Sequence, residues 1–421
     1  MTHRIVIVGG GAGGLELATR LGRRLKGGSK ASVTLVDSNL THIWKPLFHE
    51  VAAGSLNTGT DEVNYIAQAR WNGFSFQHGK MIDLQRSDKK IVLQDPYSRE
   101  SRTLEYDTLV ISVGSLSNDF GTKGVQEHCL FLDSRLQAER LHRELLMRHM
   151  KSHVEHARSP LRVAIVGAGA TGVELSAELH NSMHLIHGYG LKNSEPGNLE
   201  VTLIEAAPRV LPALNERIST LAKRNLEKLG VTIKTGVAVK EVNDSCMLLS
   251  DDTKVIADFK IWAAGIRAPD FLKSLHGLEV NRINQLLVKP TLQTTLDDDI
   301  FAFGDCASCP IVGQDKMFVP PRAQAANQQA KFLANSLTNA ILKKPLSNFI
   351  YQDKGTLISI STFNAVGVLG QQWFTHGRFA RLLYLSLYRA HQTVLFGIGR
   401  TLLKLSSEFL QRKIRPRLKM H

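Results

Sequence analysis

Six glycines carry the first chemical signal in this chain of 421 residues. Gly9, Gly11 and Gly14 follow the apolar run Ile5-Val6-Ile7-Val8, and Gly167, Gly169 and Gly172 follow Val163-Ala164-Ile165-Val166, so one G-x-G-x-x-G spacing occurs twice, about 160 residues apart. The first glycine of such a set permits a tight strand-to-helix turn, the second lets a pyrophosphate reach the backbone, and the third lets the helix lie close on its strand. Phosphates then meet unpaired helix N–H groups at the positive end of the helix dipole, with Ala12 and Gly13 in the same first cradle. An acid closes each unit: Asp37 after the run 31–36, and Glu205 after the run 199–204. A carboxylate there accepts hydrogen bonds from ribose hydroxyls and repels a 2′-phosphate. Glu205 therefore points to NADH, while nearby Arg209 keeps NADPH open. Two dinucleotide sites in one chain imply a flavoprotein, with FAD on the first unit and NADH on the second.

The elements that must position these residues are legible in outline. The length suits two or three domains rather than one core. Residues 104–115 read as an apolar strand running into a turn at Gly114 beside the first cofactor. A polar, helix-like stretch at 133–158 leads to the second unit, which closes on the strand and turn 260–269 with Gly265 at its end. Gly265 would let a nicotinamide approach with no side chain in the way. The run Asp299-Ile300-Phe301-Ala302-Phe303-Gly304 then delivers Asp305 to a turn, where it can meet a ribityl hydroxyl near the pyrophosphate. The expected fold is α/β, with two Rossmann-like dinucleotide-binding domains, the second inserted in the first. The boundaries are 1–118 and 285–345 for FAD, 119–284 for NADH, and 346–421 for a C-terminal amphipathic helical membrane-association region.

That last region holds the charge. Net charge is +14, and residues 376–421 carry ten Lys or Arg against the single acid Glu408. At 100° per residue, Arg378, Arg381, Arg389, Gln392 and Arg400 share one arc, with Leu383, Leu387, Val394 and Ile398 opposite. From Thr401, polar residues 404, 408, 411, 412 and 415 oppose Leu402, Leu403, Leu405, Phe409, Leu410 and Ile414, until Pro416 ends the helix. Tyr384 and Tyr388 suit a lipid interface. A basic amphipathic helix of this kind reads as lying on an anionic membrane surface, with packing on its own domain as the alternative. No recognised nucleic-acid module accompanies it. The stretch 355–377 reads as strands and turns, and nothing approaches the ~20 apolar residues of a span. Met1-Thr2-His3-Arg4 followed by a strand leaves no room for a signal peptide, so the body is expected in the cytoplasm, on the cytoplasmic face of the inner membrane.

Four cysteines, at 129, 246, 306 and 309, are too few for a disulfide framework. Cys306 and Cys309 form a C-x-x-C with no second pair to complete a zinc site, so no metal is expected and packing is the favoured reading.

The order of motifs resembles the two-dinucleotide-binding-domain flavoproteins of the pyridine nucleotide-disulfide oxidoreductase type. The segments His42-Ile43-Trp44-Lys45-Pro46-Leu47-Phe48-His49-Glu50-Val51-Ala52, Thr171-Gly172-Val173-Glu174-Leu175 with Ala177-Glu178, Trp262-Ala263-Ala264-Gly265, Val319-Pro320-Pro321-Arg322-Ala323-Gln324-Ala325-Ala326-Asn327-Gln328-Gln329-Ala330 and Tyr351-Gln352-Asp353-Lys354-Gly355 resemble the type II, non-pumping NADH:quinone oxidoreductases. The closing run 414–419 is similar to the gammaproteobacterial respiratory enzymes. The resemblance spans the chain. It implies hydride transfer from NADH to FAD and two-electron reduction of a membrane quinone without proton pumping, in a respiratory chain. It places Lys45 and Ala325 among the FAD contacts, Gln324 and Gln328 on one helix face toward a quinone carbonyl, and Glu174 in substrate contact or proton supply. Disulfide reductases carry a cysteine pair after the second strand; here 42–51 has none. Ubiquinone and menaquinone both stay open, as does a homodimer. Two other readings stand beside this one: a soluble NADH-dependent flavoprotein reductase with another acceptor, and a flavin- and NADH-binding redox sensor.

Overall fold

The computed structural model describes residues 2–26, 30–154, 160–189, 198–275, 277–361, 364–370, 373–411 and 418–419. The chain opens with β1 (His3–Val8), α1 (Ala12–Leu25) and β2 (Ala31–Asp37), then α2 (Phe48–Ala53), α3 (Thr58–Asp61), β3 (Ser75–His78) and β4 (Thr108–Ile111). It continues through β5 (Leu130–Phe131), α4 (Arg135–Val154), β6 (Leu161–Val166), α5 (Ala170–Gly188), β7 (Leu199–Glu205), β8 (Thr232–Thr235) and β9 (Phe259–Trp262). It closes with β10 (Ile300–Ala302), α6 (Ala323–Ile341), β11 (Gly355–Ser361), β12 (Asn364–Leu369), β13 (Trp373–His376), α7 (Gly377–Phe396) and α8 (Ile398–Gln411).

Two parallel sheets dominate, in the orders β10-β4-β1-β2-β3 and β5-β9-β6-β7-β8. Their central strands are continuous apolar runs because parallel sheets are covered on both faces. Ile5, Val6, Ile7 and Val8 are all buried, and so are Val163 to Val166. Such residues touch neighbours on every side, so truncating Ile7 to alanine is expected to cost roughly 2–5 kcal/mol. β10 joins the first sheet beside β4 only after the chain has completed the second sheet. Within the stretch that read as strands and turns, residues 355–361, 364–369 and 373–376 form the antiparallel sheet β11-β12-β13.

The tail folds as two helices divided at Gly397, whose φ is +80°. Much of its polar arc packs on the body, while Arg378 and Arg400 stay exposed. Arg381 approaches Glu50 at 3.8 Å, Lys404 reaches Asp61 at 3.3 Å, and Arg389 joins α7 to α8 through Glu408 at 2.6 Å. Gln392 is buried. Tyr384 and Tyr388 also turn inward, Tyr388 stacking on Trp44, which stacks in turn on His391, at 5.6 and 5.7 Å between ring centroids. Also left in the open are apolar residues, Leu382, Leu385, Ile398, Leu402, Leu403 and Phe409 among them. The physical reason is that the body presents the carboxylates Glu50 and Asp61, largely buried, to the docking face, and cations answer them. Residues 412–417, with the predicted stop at Pro416 and the basic positions 412, 413, 415 and 417, lie outside the described residues. Beyond them Leu418 is buried among Ala52, Leu145, Leu179 and Met183, and the Lys419 amide donates to Gly54 O at 2.8 Å. Among the described residues, no helix is long and apolar enough to cross a membrane.

Candidate functional site

The two glycine turns superimpose in every feature that matters for a phosphate. The Gly9 amide donates to Val36 O at 2.8 Å, and the Gly167 amide to Ile204 O at 2.8 Å. Their φ values are +99° and +100°, a left-handed region closed to other residues at low cost. A Cβ on Gly14 would lie 1.9 Å from Gly9 O, and one on Gly172 would lie 1.9 Å from Gly167 O, so only glycine lets helix and strand approach this closely. At Gly11 and Gly169 the direction a Cβ would take is open for 4 Å. These two residues are also the helix N-caps of α1 and α5; neither helix has a side-chain cap or an acid in its first turn. The orphan N–H groups of each helix therefore look into open space, which is the condition for seating a pyrophosphate.

The acids sit where the spacing put them. Asp37 accepts from the amides of Gly10 at 2.6 Å and Asn39 at 2.8 Å, and Glu205 accepts from Ala168 at 2.7 Å and Ala207 at 2.9 Å. Each carboxylate is thereby locked at the rim of its turn. Arg209, the residue that left NADPH open, donates to Pro212 O and Leu214 O at 3.1 and 2.8 Å and is occupied in holding that loop.

The two turns differ at one position. A Cβ on Gly10 would lie 2.5 Å from the ring of Tyr65, whose hydroxyl donates to Gly10 O at 2.7 Å; the matching residue of the second turn is Ala168. Tyr65 thus explains the extra glycine of the first motif, and no sequence signal marked it.

Around the expected flavin, Ser115 Oγ donates to Asp305 at 2.9 Å, and Lys45 Nζ donates to Ser115 O at 2.7 Å. Lys45 also lies 3.7 Å from Asp133. Gly114 has φ +71° and open space where a Cβ would point. A Cβ on Gly13 would stand 3.3 Å from Ala326 Cβ, so α1 and α6 begin side by side and Ala325, in the first turn of α6, stands beside the first cradle. Lys45, Gly114, Asp305 and Ala325 are separated by up to 280 residues in sequence, and the fold gathers them around the first glycine turn. The fit to an FAD is one of a pyrophosphate cradle, a ribose carboxylate and a helix N-terminus.

Gln324 and Gln328 share a face of α6, yet both amides are engaged. Gln324 donates to Gly355 O at 2.9 Å and accepts from the Lys354 amide at 3.2 Å; Gln328 donates to Gln352 O at 2.8 Å and accepts from the Gln352 amide at 3.1 Å. They fasten the segment 352–355 to the start of α6. Gly265 has φ +62°, and a Cβ there would lie 2.4 Å from the exposed Phe120 ring, which therefore caps this turn.

Glu174, one turn into α5, is buried in a cluster that sequence spacing could not show. Its carboxylate accepts from the Ser359 amide at 3.0 Å, stands 3.5 Å from His49 Nδ1 and is hydrogen-bonded by Tyr384. Burial pushes the Glu174 carboxyl up to about 8, and burial pushes Glu50 up to about 7 with Glu178 adding to it. His49 is driven down to about 3 by burial, with Arg381 adding to it, and is neutral. Glu50, His49, Ser359, Arg381 and Tyr384 are residues the sequence reading missed or sent elsewhere. The signal that could have found Glu50 is its place beside His49 in the motif 42–52.

All four cysteines are reduced and buried. Cys306 Sγ lies 3.3 Å from Phe303 O, and burial raises Cys306 and Cys309 to about 12, so neither supplies a thiolate at neutral pH. Among the described residues no group of His, Cys, Asp and Glu is placed to hold a metal.

Residues 3–330 match the family model for pyridine nucleotide-disulphide oxidoreductases. A type II NADH:quinone oxidoreductase of Haemophilus influenzae is 43% identical over 443 aligned positions, covering 99% of each chain. The chain belongs to the type II NADH:quinone oxidoreductases. A relative from Staphylococcus saprophyticus is 28% identical over 87% of this chain and 89% of its own. Among solved structures, NDH2 from Plasmodium falciparum in complex with NADH matches with a TM-score of 0.86 over 99% of both chains at 21% identity, which speaks for the fold. The sulfide:quinone oxidoreductase of Aquifex aeolicus shares that fold at TM-score 0.75 and 17% identity, over 94% and 92% of the two chains. Enzymes of this family work with FAD and NADH, and the two cradles described above fit that pair.

Proposed function

We propose that this chain binds FAD in the turn at 9–14 and NADH in the turn at 167–172, and reduces a quinone taken from a membrane surface against which its tail lies. The observation that carries the reading is the pair of matched cradles, each with open space at its second glycine and an acid fixed at its rim. Bound FAD supplies a two-electron acceptor for hydride, and the protein supplies position and exclusion of water. Glu205 selects NADH by holding a carboxylate where a 2′-phosphate would sit. Gly265 and Phe120 bound the nicotinamide end. Gln324 and Gln328 secure the segment 352–355 at the α6 N-terminus, where the quinone head would enter, and Glu174 supplies a proton to the quinol oxygen. A carboxyl raised to about 8 holds that proton at neutral pH, as a general acid must.

Membrane contact is assigned to the exposed apolar face of α7 and α8, with Arg378 and Arg400 at its margin. In this reading the enzyme is a peripheral protein of the cytoplasmic face of the inner membrane, with anionic headgroups assisting rather than driving attachment.

The test is anaerobic stopped-flow with the purified yellow protein. NADH, and not NADPH, should bleach the flavin rapidly, and a short-chain quinone in liposomes should restore the colour rapidly. Bleaching without reoxidation by any quinone would overturn the acceptor.

A further inference from the structure

Glu174 is one member of a closed ring of contacts drawn from four elements. His49 of α2 stands between two carboxyls, its Nδ1 3.5 Å from Glu174 and its Nε2 4.0 Å from Glu50. Glu50 meets Arg381 of α7 at 3.8 Å, and Arg381 donates to Ser359 Oγ of β11 at 2.6 Å. The Ser359 amide donates to Glu174 at 3.0 Å and closes the ring. His49 and Glu174 are buried, and the side chains of Glu50 and Arg381 are each 14% exposed. Two acids with one cation between them are thus confined in a nearly dry site.

We propose that Glu50 is a positioning residue that, beside burial, keeps a proton on Glu174, its carboxylate when ionised being the negative charge against which Glu174 would have to ionise. The inference rests on Glu174 as the proton donor. Like charges sharing a buried site cannot both ionise cheaply, and one acid of such a pair is held protonated. His49, neutral, fills the space between them without cancelling either charge.

The surroundings decide which acid carries the charge. Glu50 faces Arg381 and Arg389 from α7, against Glu178 from α5 and Asp61 from α3. Glu174 faces Tyr384 and Arg381 from α7, the Ser359 amide from β11, and Glu50 from α2. Arg381 is in direct contact with Glu50, so Glu50 is the member whose carboxylate is answered by a cation. Glu174 is left as the carboxylic acid.

The proton balance is simple. NADH plus quinone plus one proton gives NAD+ plus quinol, so each turnover draws one proton through the protein. The Glu174 O–H bond breaks toward the quinol oxygen, leaving a carboxylate beside the Glu50 carboxylate. The repulsion between them draws a proton from solvent back to Glu174. Glu50 thereby reloads the donor without touching substrate.

The measurement is infrared titration of the buried carboxylic-acid band in the purified holoenzyme, paired with the pH profile of quinone reoxidation in single turnover. Glu174→Gln assigns the band. Glu50→Gln should lower its midpoint by roughly one pH unit, and move the alkaline limb of reoxidation down equally. Glu50→Asp, which keeps the charge on a shorter stem, should leave both near the native values. A purely structural role predicts the reverse, because Gln is isosteric with Glu and Asp opens a gap. An unmoved midpoint in Glu50→Gln overturns the inference, whatever the kinetics. Unchanged reoxidation in Glu174→Gln would remove the donor itself, a separate result that overturns the proton-supply reading and this inference with it.

Discussion

The sharpest quantitative consequence concerns which face of the tail meets the membrane. Leu402, Leu403, Phe409 and Leu410 are 58, 72, 65 and 64% exposed on α8, with no protein surface covering them. Burying a Leu or Phe side chain completely is worth about 1.5–3 kcal/mol, so the two thirds still in water hold roughly 1–2 kcal/mol each. Four such side chains give about 4–8 kcal/mol of available insertion energy, and the lower figure already corresponds to about a thousandfold in partitioning. Replacing all four by serine should therefore reduce binding to neutral phosphatidylcholine vesicles by at least about a hundredfold, even with allowance for shallow insertion. Because these side chains leave no partner behind, the flavin spectrum and thermal midpoint should stay near native. The assay is vesicle co-sedimentation at rising salt, on neutral and on anionic lipid. Arg378→Gln with Arg400→Gln should lower only the salt-sensitive part of the binding to anionic vesicles. The reasoning fails if the serine variant binds neutral vesicles as the native chain does, or if native binding vanishes on neutral lipid and follows charge alone.

Four further outcomes follow from the site. Gly172→Ala places a Cβ 1.9 Å from Gly167 O, and should leave the FAD bound while raising KM for NADH at least tenfold; loss of flavin instead would mean that the turns are not independent. Gln324→Ala with Gln328→Ala frees the segment 352–355, and should slow quinone reduction tenfold or more while NADH still bleaches the flavin rapidly; equal slowing of both steps would remove the quinone-side assignment. Glu205→Ala should loosen the preference for NADH over NADPH by about tenfold, and unchanged discrimination would mean that the carboxylate does not meet the ribose. For stability, Glu174 binds its proton more tightly folded than unfolded, so between the unfolded value near 4.3 and the folded value of about 8 the native state holds the extra proton and stability falls as pH rises. Glu174→Gln should therefore gain thermal stability relative to the native chain as pH goes from about 5 to about 8, by differential scanning calorimetry, and a constant gap would contradict the burial of an ionising carboxyl.

The glycine turns, their acids and the apolar strands before them were legible in the sequence because each is a local device. Strand, turn, helix and second strand lie within about 40 residues, and backbone geometry alone demands glycine at fixed spacings. The same locality made the strand before Asp305 and the sheet at 355–376 readable. Amphipathic sorting in the tail was local too, and helices form there, although they divide at Gly397 so that Ile398 and Arg400 belong to the second, and the expected stop at Pro416 lies outside the described residues.

What periodicity lacks is the identity of the surface on the other side. Sorting alone does not say which face meets the body, and only the tertiary structure sets Arg381 and Lys404 against Glu50 and Asp61 and leaves Leu402 and Phe409 exposed. The engagement of Gln324 and Gln328 with residues 352–355 depends on a strand that arrives 24 to 31 residues later. The proton-bearing cluster is still less local, joining residues 49, 50, 174, 359, 381 and 384 from four elements. Sequence determined where the two glycine cradles lie, because such a cradle is a property of a single turn. Tertiary packing decided which carboxyls share a buried site and which apolar face of the tail is left uncovered, because burial and Coulomb interaction depend on distance in space and not along the chain.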